Sequence, residues 1–248
     1  MKKLFIILTL TLASLKAGTI NVAVAANVSY AIEELKKEFA KTHPDTKVQV
    51  TLSSSGKLTA QIKNGAPYGM FMSANMKYPN ALYSEGLAIT EPKVYAQGAL
   101  AMLTTKKLDL TKGLEILTTQ NVKKVAIANP QTAPYGKAAL DALKKVSLLD
   151  TVEKKFVYAE SISQAVTYSV SAADIGFIAK SSLYSPKMSQ YKEGVNYTDV
   201  DTTLYSPIEQ GIVLLRPAQE SVEYRAFYEF MLSENAKKIF RAYGYIVK

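Results

Sequence analysis

The chain has 248 residues, with 30 lysines and arginines against 21 aspartates and glutamates, one histidine and no cysteine. The absence of cysteine excludes disulfides, thiolate metal sites and a lipid-anchored cysteine. The basic residues are scattered, without a basic tract that contains aromatic residues, and this disfavours a nucleic-acid-binding surface.

The first 17 residues predict a secretory signal peptide. Lys2 and Lys3 precede an apolar run over residues 4–15, and Ala17 supplies a small residue at a cleavage site. The run is shorter than the about 20 apolar residues that span a bilayer. Cleavage would remove three lysines and lower the formal net charge from +9 to +6. We therefore expect an exported protein that is free in the periplasm.

The first strand and helix follow directly. Residues 20–26 form an apolar run typical of a buried strand, and Asn27 comes immediately after it. Apolar residues then recur at spacings of three and four, which predicts an amphipathic helix from about residue 28 to just before Pro44. Asn27 is therefore predicted to cap this helix at the carboxyl end of a strand. That edge is where open α/β sheets bind ligands.

The second strand-to-helix junction carries three consecutive serines. Residues 47–52 alternate between polar and apolar, as in a strand with one buried face, and residues 53–55 are all serine. Leu58 and Ile62 lie four apart and predict a short helix, which a glycine and a proline then end. Ser55 is predicted at the N-cap, where free backbone N–H groups and the helix dipole favour an anion. Its hydroxyl and the adjacent amide would form a donor pair for an oxyanion.

Strands and helices keep alternating to the end of the chain. Further strands are predicted at residues 70–74, 95–103, 124–129, 156–159, 175–179 and 207–215. This alternation predicts an α/β fold with right-handed crossovers. The strands over 95–103 and 207–215 are long enough to join two lobes. We predict lobe 1 from residues 18–97 and 209–248, lobe 2 from residues 98–208, and a ligand cleft between them.

The second half contains two more junctions of the same kind. Tyr135 opens a helix after the strand at 124–129. Ser161 and Gln164 form a capping-box pattern, which places Ile162 at the first helical position. Ile162 would contribute its backbone N–H, because its side chain has no donor.

Four junctions thus offer donors, and they form the predicted ligand-binding set: Asn27, Ser55, Tyr135 and Ile162. Neutral donors and helix N-termini, with no Arg or Lys, suit a small, fully ionised oxyanion. Each charge-assisted hydrogen bond contributes about 1.5–3 kcal/mol, so several would support sub-micromolar affinity after ordering costs. Any one of these residues alone is an ordinary cap in most proteins. The coincidence of four favours a site.

Other kinds of site have less support. Gly56 and Lys57 resemble part of a phosphate-binding loop, but that motif requires Gly at position 51 and Ser or Thr at position 58, where Thr51 and Leu58 stand. His43 is the single histidine and follows a predicted helix, which disfavours a catalytic triad or a histidine metal site. We therefore expect a binding protein that is not an enzyme and has no cofactor.

Several segments resemble the periplasmic molybdate-binding proteins of ABC importers, the ModA family. They are AANVS at 25–29, SSSGK at 53–57, QIKNGAP at 61–67 with MFMSA at 70–74, and IEQG at 208–211. The resemblance covers nearly the whole chain after the predicted signal peptide. It implies a type II periplasmic binding protein, with two α/β lobes that close on molybdate or tungstate. It also implies a monomer that delivers this oxyanion to an ABC permease in the inner membrane.

The resemblance assigns residues as well. The first family serine falls on Asn27, the second on Ser55, and the two second-lobe amides on Tyr135 and Ile162, so these four would hold the metal as its oxyanion. The tyrosine that many members place after a later strand falls on Ala179. We expect the hydroxyl of Tyr135 to take its place.

Selection against sulfate would follow from size. Metal–oxygen bonds are longer than sulfur–oxygen bonds, so the smaller anion would leave donors of a closed site unpaired. Molybdate and tungstate nearly match, and the sequence does not separate them. The alternatives are a binding protein for another oxyanion, such as sulfate or phosphate, and an exported hydrolase.

Overall fold

The computed structural model describes residues 18–247, so the predicted signal peptide at residues 1–17 lies outside the described residues. Two five-stranded sheets form its framework. The strands are β1 Gly18–Ala25, β2 Thr46–Ser53, β3 Met70–Met72, β4 Lys93–Gly98, β5 Leu100–Leu103, β6 Val125–Ala128, β7 Phe156–Ala159, β8 Ile175–Ala179, β9 Tyr197–Asp199 and β10 Ile208–Leu214.

Helices connect the strands. The α-helices are α1 Ile32–Ala40, α2 Ser55–Lys63, α3 Lys77–Ser84, α4 Pro134–Lys145, α5 Leu149–Val152, α6 Ile162–Ser171, α7 Val222–Leu232 and α8 Glu234–Ala242. Short 3₁₀ segments cover Ala26–Tyr30, Leu110–Thr118, Glu153–Lys155, Lys180–Tyr184, Pro186–Met188, Thr202–Leu204 and Arg216–Ala218. Within residues 18–247, none of the helices has the length and apolar character needed to cross a membrane.

Both sheets mix parallel and antiparallel pairs. The first has the order β2-β1-β3-β10-β4, with β1 parallel to β2 and β3 and with β10 antiparallel to β3 and β4. The second has the order β7-β6-β8-β5-β9, with β6 parallel to β7 and β8 and with β5 antiparallel to β8 and β9. The prediction of an α/β fold with two lobes is confirmed, and each lobe is built on one of the two sheets. We call the elements around the first sheet lobe 1 and those around the second lobe 2.

Helices cover both faces of the first sheet. Its interior strand β1 is buried from Val22 to Ala25, as expected for a parallel strand covered on both sides. One face packs against α1, α7 and α8, and the other packs against α2 through Leu58 and Ile62. The short helix predicted from the spacing of these two residues is confirmed as α2. This packing fixes the carboxyl ends of β1 and β2, from which the chain enters its next helices.

The passage between the sheets differs from the predicted pair of crossing strands. The predicted strand over residues 95–103 is two strands, because β4 pairs within the first sheet up to Gly98 and β5 pairs within the second from Leu100. The strand near residues 207–215 is β10, which pairs only with β3 and β4. The chain therefore returns to lobe 1 before β10 begins. The exact lobe boundaries, at 97/98 and 208/209, stay predictions.

Two residues that were predicted as helix N-caps, Asn27 and Ser55, do not occupy N-cap positions. Asn27 is inside the 3₁₀ segment Ala26–Tyr30, and the extended residue before that segment is Ala25. Ser55 is the first residue of α2, and Ser54 precedes it with extended φ and ψ of −66° and 147°. Neither predicted cap uses its side chain on the following helix, because both side chains bond to distant parts of the chain. Ser161 does cap α6, as predicted.

Candidate functional site

The four predicted residues come together between the lobes. They line one small cavity, with Asn27 and Ser55 from lobe 1 and Tyr135 and Ile162 from lobe 2. Each stands in the first turn of a helical segment: the 3₁₀ segment Ala26–Tyr30, α2, α4 or α6. The positive ends of these segments therefore meet at one point, as an anion site requires.

The backbone of these first turns supplies free donors. Within the described residues, the N–H groups of Asn27, Ser55, Tyr135 and Ile162 have no hydrogen-bond acceptor. The first N–H groups of a helix have no partner inside the helix and need one elsewhere. A ligand that carries several acceptor oxygens would satisfy them together.

Ser55 is fixed in place by its own side chain. It is fully buried, and its Oγ accepts a hydrogen bond of 2.9 Å from the Ala74 N–H. The hydroxyl proton of Ser55 therefore remains available to donate into the cavity. Ser54 lines the same cavity, and its buried Oγ has no partner in the described part of the chain. Ser54 was not among the predicted site residues, because the sequence pattern placed the N-cap at Ser55, one residue too late.

Asn27 is fully buried, and its side chain faces protein partners. Its Nδ2 donates to Gln210 Oε1 at 2.8 Å and to the Tyr245 hydroxyl at 3.1 Å. The Tyr245 hydroxyl in turn donates to the Asn27 carbonyl at 2.9 Å. Asn27 Oδ1 is buried without a partner among the described residues. In this arrangement Asn27 offers its backbone N–H to the cavity, and the side-chain donor expected from the sequence is engaged elsewhere.

Tyr135 lies at the second position of α4, after Pro134. Its ring is buried, and its hydroxyl accepts a hydrogen bond of 3.1 Å from Gln210 Nε2. The hydroxyl that was expected to replace the family tyrosine at Ala179 is therefore held by Gln210. The backbone N–H of Tyr135 remains the donor that this residue presents at the cavity.

The N–H of Ile162 stays free because the hydrogen bonds that cap α6 use other groups. Ser161 Oγ accepts from the Gln164 N–H at 3.3 Å, which confirms one half of the predicted capping box. The Gln164 side chain accepts from the Glu160 N–H at 2.7 Å, one residue earlier than the motif predicts. Both bonds stabilise the start of α6 without occupying the N–H of Ile162.

Contacts across the cleft hold the two lobes together beside the cavity. The Gly56 N–H in α2 donates to the Thr132 carbonyl at 2.8 Å, and the Tyr78 hydroxyl donates to the Gln131 carbonyl at 3.2 Å. A Cβ on Gly56 would lie 2.9 Å from Thr132 Cα, so this approach depends on glycine. The lobes are therefore closed over the site.

The cavity carries no formal charge. Among the described residues that line it, none is Lys, Arg, His, Asp or Glu. Lys57 points to the surface, where its Nζ lies 2.9 Å from Glu160 Oε2. Such an exposed pair contributes about 0–1 kcal/mol. The described chain also contains no group of three or more acidic or histidine side chains able to hold a bare metal ion.

The tyrosines behind the cavity are neutral at physiological pH. Burial raises the pKa of Tyr95 and of Tyr135 well above the ordinary value of 10.0, and the nearby Tyr245 raises both further. Burial raises the pKa of Tyr245 to about 12. These hydroxyls therefore keep their protons, and hence their donor capacity, far above neutral pH.

We expect ligand affinity to change by less than about twofold between pH 6 and pH 8, because none of the described residues that line the cavity has a side chain that titrates there. Titration calorimetry at both pH values measures this. A steep dependence would contradict a site made of neutral donors.

The stability contribution of the buried tyrosines is complete below about pH 10, the pKa of an unfolded tyrosine. It is lost as pH rises through their raised folded pKa values.

A larger cavity of about 410 Å³ lies elsewhere, along β4, α8 and residues 246–247. Its lining includes Val94, Glu209, Lys237 and Ile246, and none of the four converging first turns reaches it. The smaller cavity between the lobes is therefore the candidate site.

Known proteins resemble this chain over nearly its whole length. The family model described as bacterial extracellular solute-binding protein matches residues 20–246. The molybdate-binding protein ModA of Rhodobacter capsulatus is 33% identical over 234 residues, which cover 94% of this chain and 90% of that protein.

Solved structures of other proteins superpose on this chain. The periplasmic molybdate-binding protein of Azotobacter vinelandii superposes with a TM-score of 0.85 at 33% identity, over 92% of this chain and 99% of that one. The sulfate-binding protein SubI of Mycobacterium tuberculosis superposes with a TM-score of 0.76 at 12% identity, over 92% and 86% of the two chains. At that identity the second match concerns the fold alone.

Proposed function

The chain belongs to the bacterial extracellular solute-binding proteins, in the family of the ModA molybdate-binding proteins, and from this we propose that it captures molybdate for an ABC importer. Tungstate, with nearly the same size and charge, is a ligand of the same class. The chain acts as a receptor that encloses the oxyanion between its lobes and presents it to a permease.

One observation carries the proposal: four backbone N–H groups, at Asn27, Ser55, Tyr135 and Ile162, have no acceptor among residues 18–247 and converge on a cavity whose described lining has no charged residue. The Ser55 hydroxyl adds a fifth donor, because its oxygen already accepts from Ala74. A tetrahedral oxyanion offers four acceptor oxygens and no proton, which matches a cavity of donors. Charge-assisted bonds from such donors contribute about 1.5–3 kcal/mol each.

The closed lobes support selection by size. The donors come from both lobes, and the Gly56 to Thr132 hydrogen bond limits how far the lobes can approach each other. A sulfate ion, with shorter bonds to oxygen, would leave some donors unpaired at a cost of about 1–3 kcal/mol each. Molybdate and tungstate would bind with similar affinity.

Calorimetric titration of the mature protein tests the function. We expect one-to-one binding of molybdate and tungstate, and a sulfate response at least about tenfold weaker, at matched pH and ionic strength. Equal or tighter binding of sulfate would contradict the proposal. No response to any oxyanion would show that the converging helix starts serve only the fold.

A second candidate ligand is a protonated oxyanion such as hydrogen phosphate. Asn27 Oδ1, a buried acceptor without a partner in the described chain, favours it, since an acceptor could receive the ligand's proton. Phosphate titration in the same experiment separates the two. Binding of phosphate tighter than molybdate would replace the first candidate with the second.

The remaining parts of the proposal follow from the family. We place the mature chain in the periplasm as a monomer that binds its ligand without chemical change, so it is neither an enzyme nor a cofactor protein. The proposed partner is the permease of an ABC importer in the inner membrane. Turnover assays and sedimentation of the purified chain test the absence of catalysis and the monomeric state.

A further inference from the structure

Gln210 is a fully buried polar residue on β10, behind the proposed site. Its Oε1 accepts from Asn27 Nδ2 at 2.8 Å and from the Tyr95 hydroxyl at 2.7 Å. Its Nε2 donates to the Tyr135 hydroxyl at 3.1 Å. One side chain thus bonds directly to a cavity residue of each lobe, Asn27 and Tyr135.

The structure makes room for this contact between the lobes. A Cβ on Gly98, the last residue of β4, would lie 2.0 Å from the Tyr135 hydroxyl and 2.6 Å from Gln210 Nε2. Any larger residue at position 98 would separate Tyr135 from Gln210. The glycine therefore keeps α4 of lobe 2 in contact with β10 of lobe 1.

The orientation of the Asn27 amide is a problem for an anion site. Both partners of Asn27 Nδ2, Gln210 and Tyr245, lie outside the cavity lining, whereas Asn27 itself lines the cavity. The atom left over is Oδ1, which has no partner in residues 18–247. An amide oxygen next to a fully ionised oxyanion repels it and cannot form a hydrogen bond with it.

Rotation of the Asn27 and Gln210 amides by 180° together would solve this problem. Gln210 Nε2 would then donate to Asn27 Oδ1 and to the Tyr95 hydroxyl, and Gln210 Oε1 would accept from the Tyr135 hydroxyl. The Tyr95 hydroxyl would then donate its hydrogen bond to the Ser73 carbonyl oxygen, which lies 3.5 Å from it.

Asn27 also has the partners that the rotated arrangement needs. Tyr245 could donate to Asn27 Oδ1, and Ser181 Oγ already donates to the Asn27 carbonyl at 3.3 Å. Every polar group of this hydrogen-bond network therefore keeps a partner. Asn27 Nδ2 turns to the cavity.

We propose that Gln210 is a positioning residue for the oxyanion site, and that ligand binding rotates the Asn27 and Gln210 amides together so that Asn27 donates to the ligand. This inference rests on the proposed function. It also explains how the cavity exchanges a free amide oxygen for an amide donor. Such a cavity favours a fully ionised oxyanion over one that carries a proton, because the ligand's proton would lose the amide oxygen as its acceptor.

Substitution of Gln210 separates this role from simple packing. Gln210→Met keeps the length of the side chain but removes both its donor and its acceptors. Gln210→Glu keeps the acceptors for Asn27 and the tyrosines but cannot donate, so it holds Asn27 in the orientation with Oδ1 at the cavity. Gln97→Met is the matched control, since Gln97 lies on the neighbouring β4 and its side chain has no hydrogen bond in the described chain.

Titration calorimetry with sodium molybdate should give a Kd about tenfold higher for Gln210→Met than for the wild type, and a larger increase for Gln210→Glu. Gln97→Met should stay within about twofold. The loss in Gln210→Glu should be smaller for hydrogen phosphate than for molybdate, a difference that a general effect of the added charge would not produce. Wild-type affinity in both Gln210 variants would overturn the inference and leave the proposed function intact.

A spectroscopic measurement on the wild-type chain does not depend on whether the variants fold. In ¹⁵N–¹H spectra, molybdate should shift the side-chain amide signals of Asn27 and Gln210 together and leave that of Gln97 unchanged. A shift of neither Asn27 nor Gln210 in the presence of bound molybdate would overturn the amide rotation. Absence of any molybdate-dependent shift in the backbone as well would overturn the proposed function itself.

Discussion

Ser55→Ala is expected to raise the Kd for molybdate by about 5- to 150-fold, which corresponds to a loss of about 1–3 kcal/mol. The hydroxyl has two roles: its oxygen accepts from the Ala74 N–H, and its proton is free to donate into the cavity. Alanine removes the donor and leaves the Ala74 N–H buried without its partner. Calorimetric titration measures the first effect, and thermal unfolding without ligand measures the second.

Ser53→Ala is the matched control for this experiment. Ser53 is the last residue of β2, two positions earlier, and it does not line the cavity. The same atoms are removed from a half-buried side chain that has no hydrogen bond in residues 18–247. We expect its affinity to stay within about twofold of the wild type. Unchanged affinity in Ser55→Ala would remove this side chain from the site.

Gly136→Ala is expected to lower the free energy of unfolding by about 1–3 kcal/mol or more and to weaken ligand binding. Gly136 follows Tyr135 in the first turn of α4. A Cβ there would lie 1.9 Å from the Ala128 carbonyl oxygen and 3.1 Å from the Pro130 nitrogen, which are both backbone atoms. Since backbone cannot rotate away as a side chain does, the start of α4 would have to move off β6. The N–H of Tyr135 would move with it.

Gly18→Ala provides the comparison for this substitution. Its Cβ would meet only side-chain atoms of Glu223, at 2.9 Å or more, and that side chain can turn toward solvent. We expect its unfolding free energy to stay within about 0.5 kcal/mol of the wild type. Thermal and denaturant unfolding of both variants, followed by molybdate titration, measures the difference. A Gly136→Ala chain with unchanged stability and affinity would contradict the role of this close approach.

The sequence alone predicted the features that depend on neighbouring residues. Alternation over residues 47–52 and the spacing of Leu58 and Ile62 identified β2 and α2, since strand and helix periodicities are local. The Ser161 cap of α6 was also readable, because it bonds to a residue only three positions later. From such junctions came the α/β fold and the convergence of helix starts.

Local patterns failed where a side chain has a distant partner. Asn27 and Ser55 were predicted as helix caps, but Asn27 bonds to Gln210, 183 residues away, and Ser55 bonds to the backbone of Ala74. Tyr245 contacts Asn27 across 218 residues. No spacing rule reaches that far, because such contacts exist only once the two sheets and the C-terminal segment have packed.

The sequence by itself therefore determined which backbone groups could bind an anion, since a helix start exposes its N–H groups wherever it occurs. Only the tertiary structure decided which side chains take part and which way they point. The Gly98 approach brings Tyr135 to Gln210, and Gln210 in turn orients Asn27. The physical reason is that a buried polar group takes whichever partner the packed fold brings within hydrogen-bond distance.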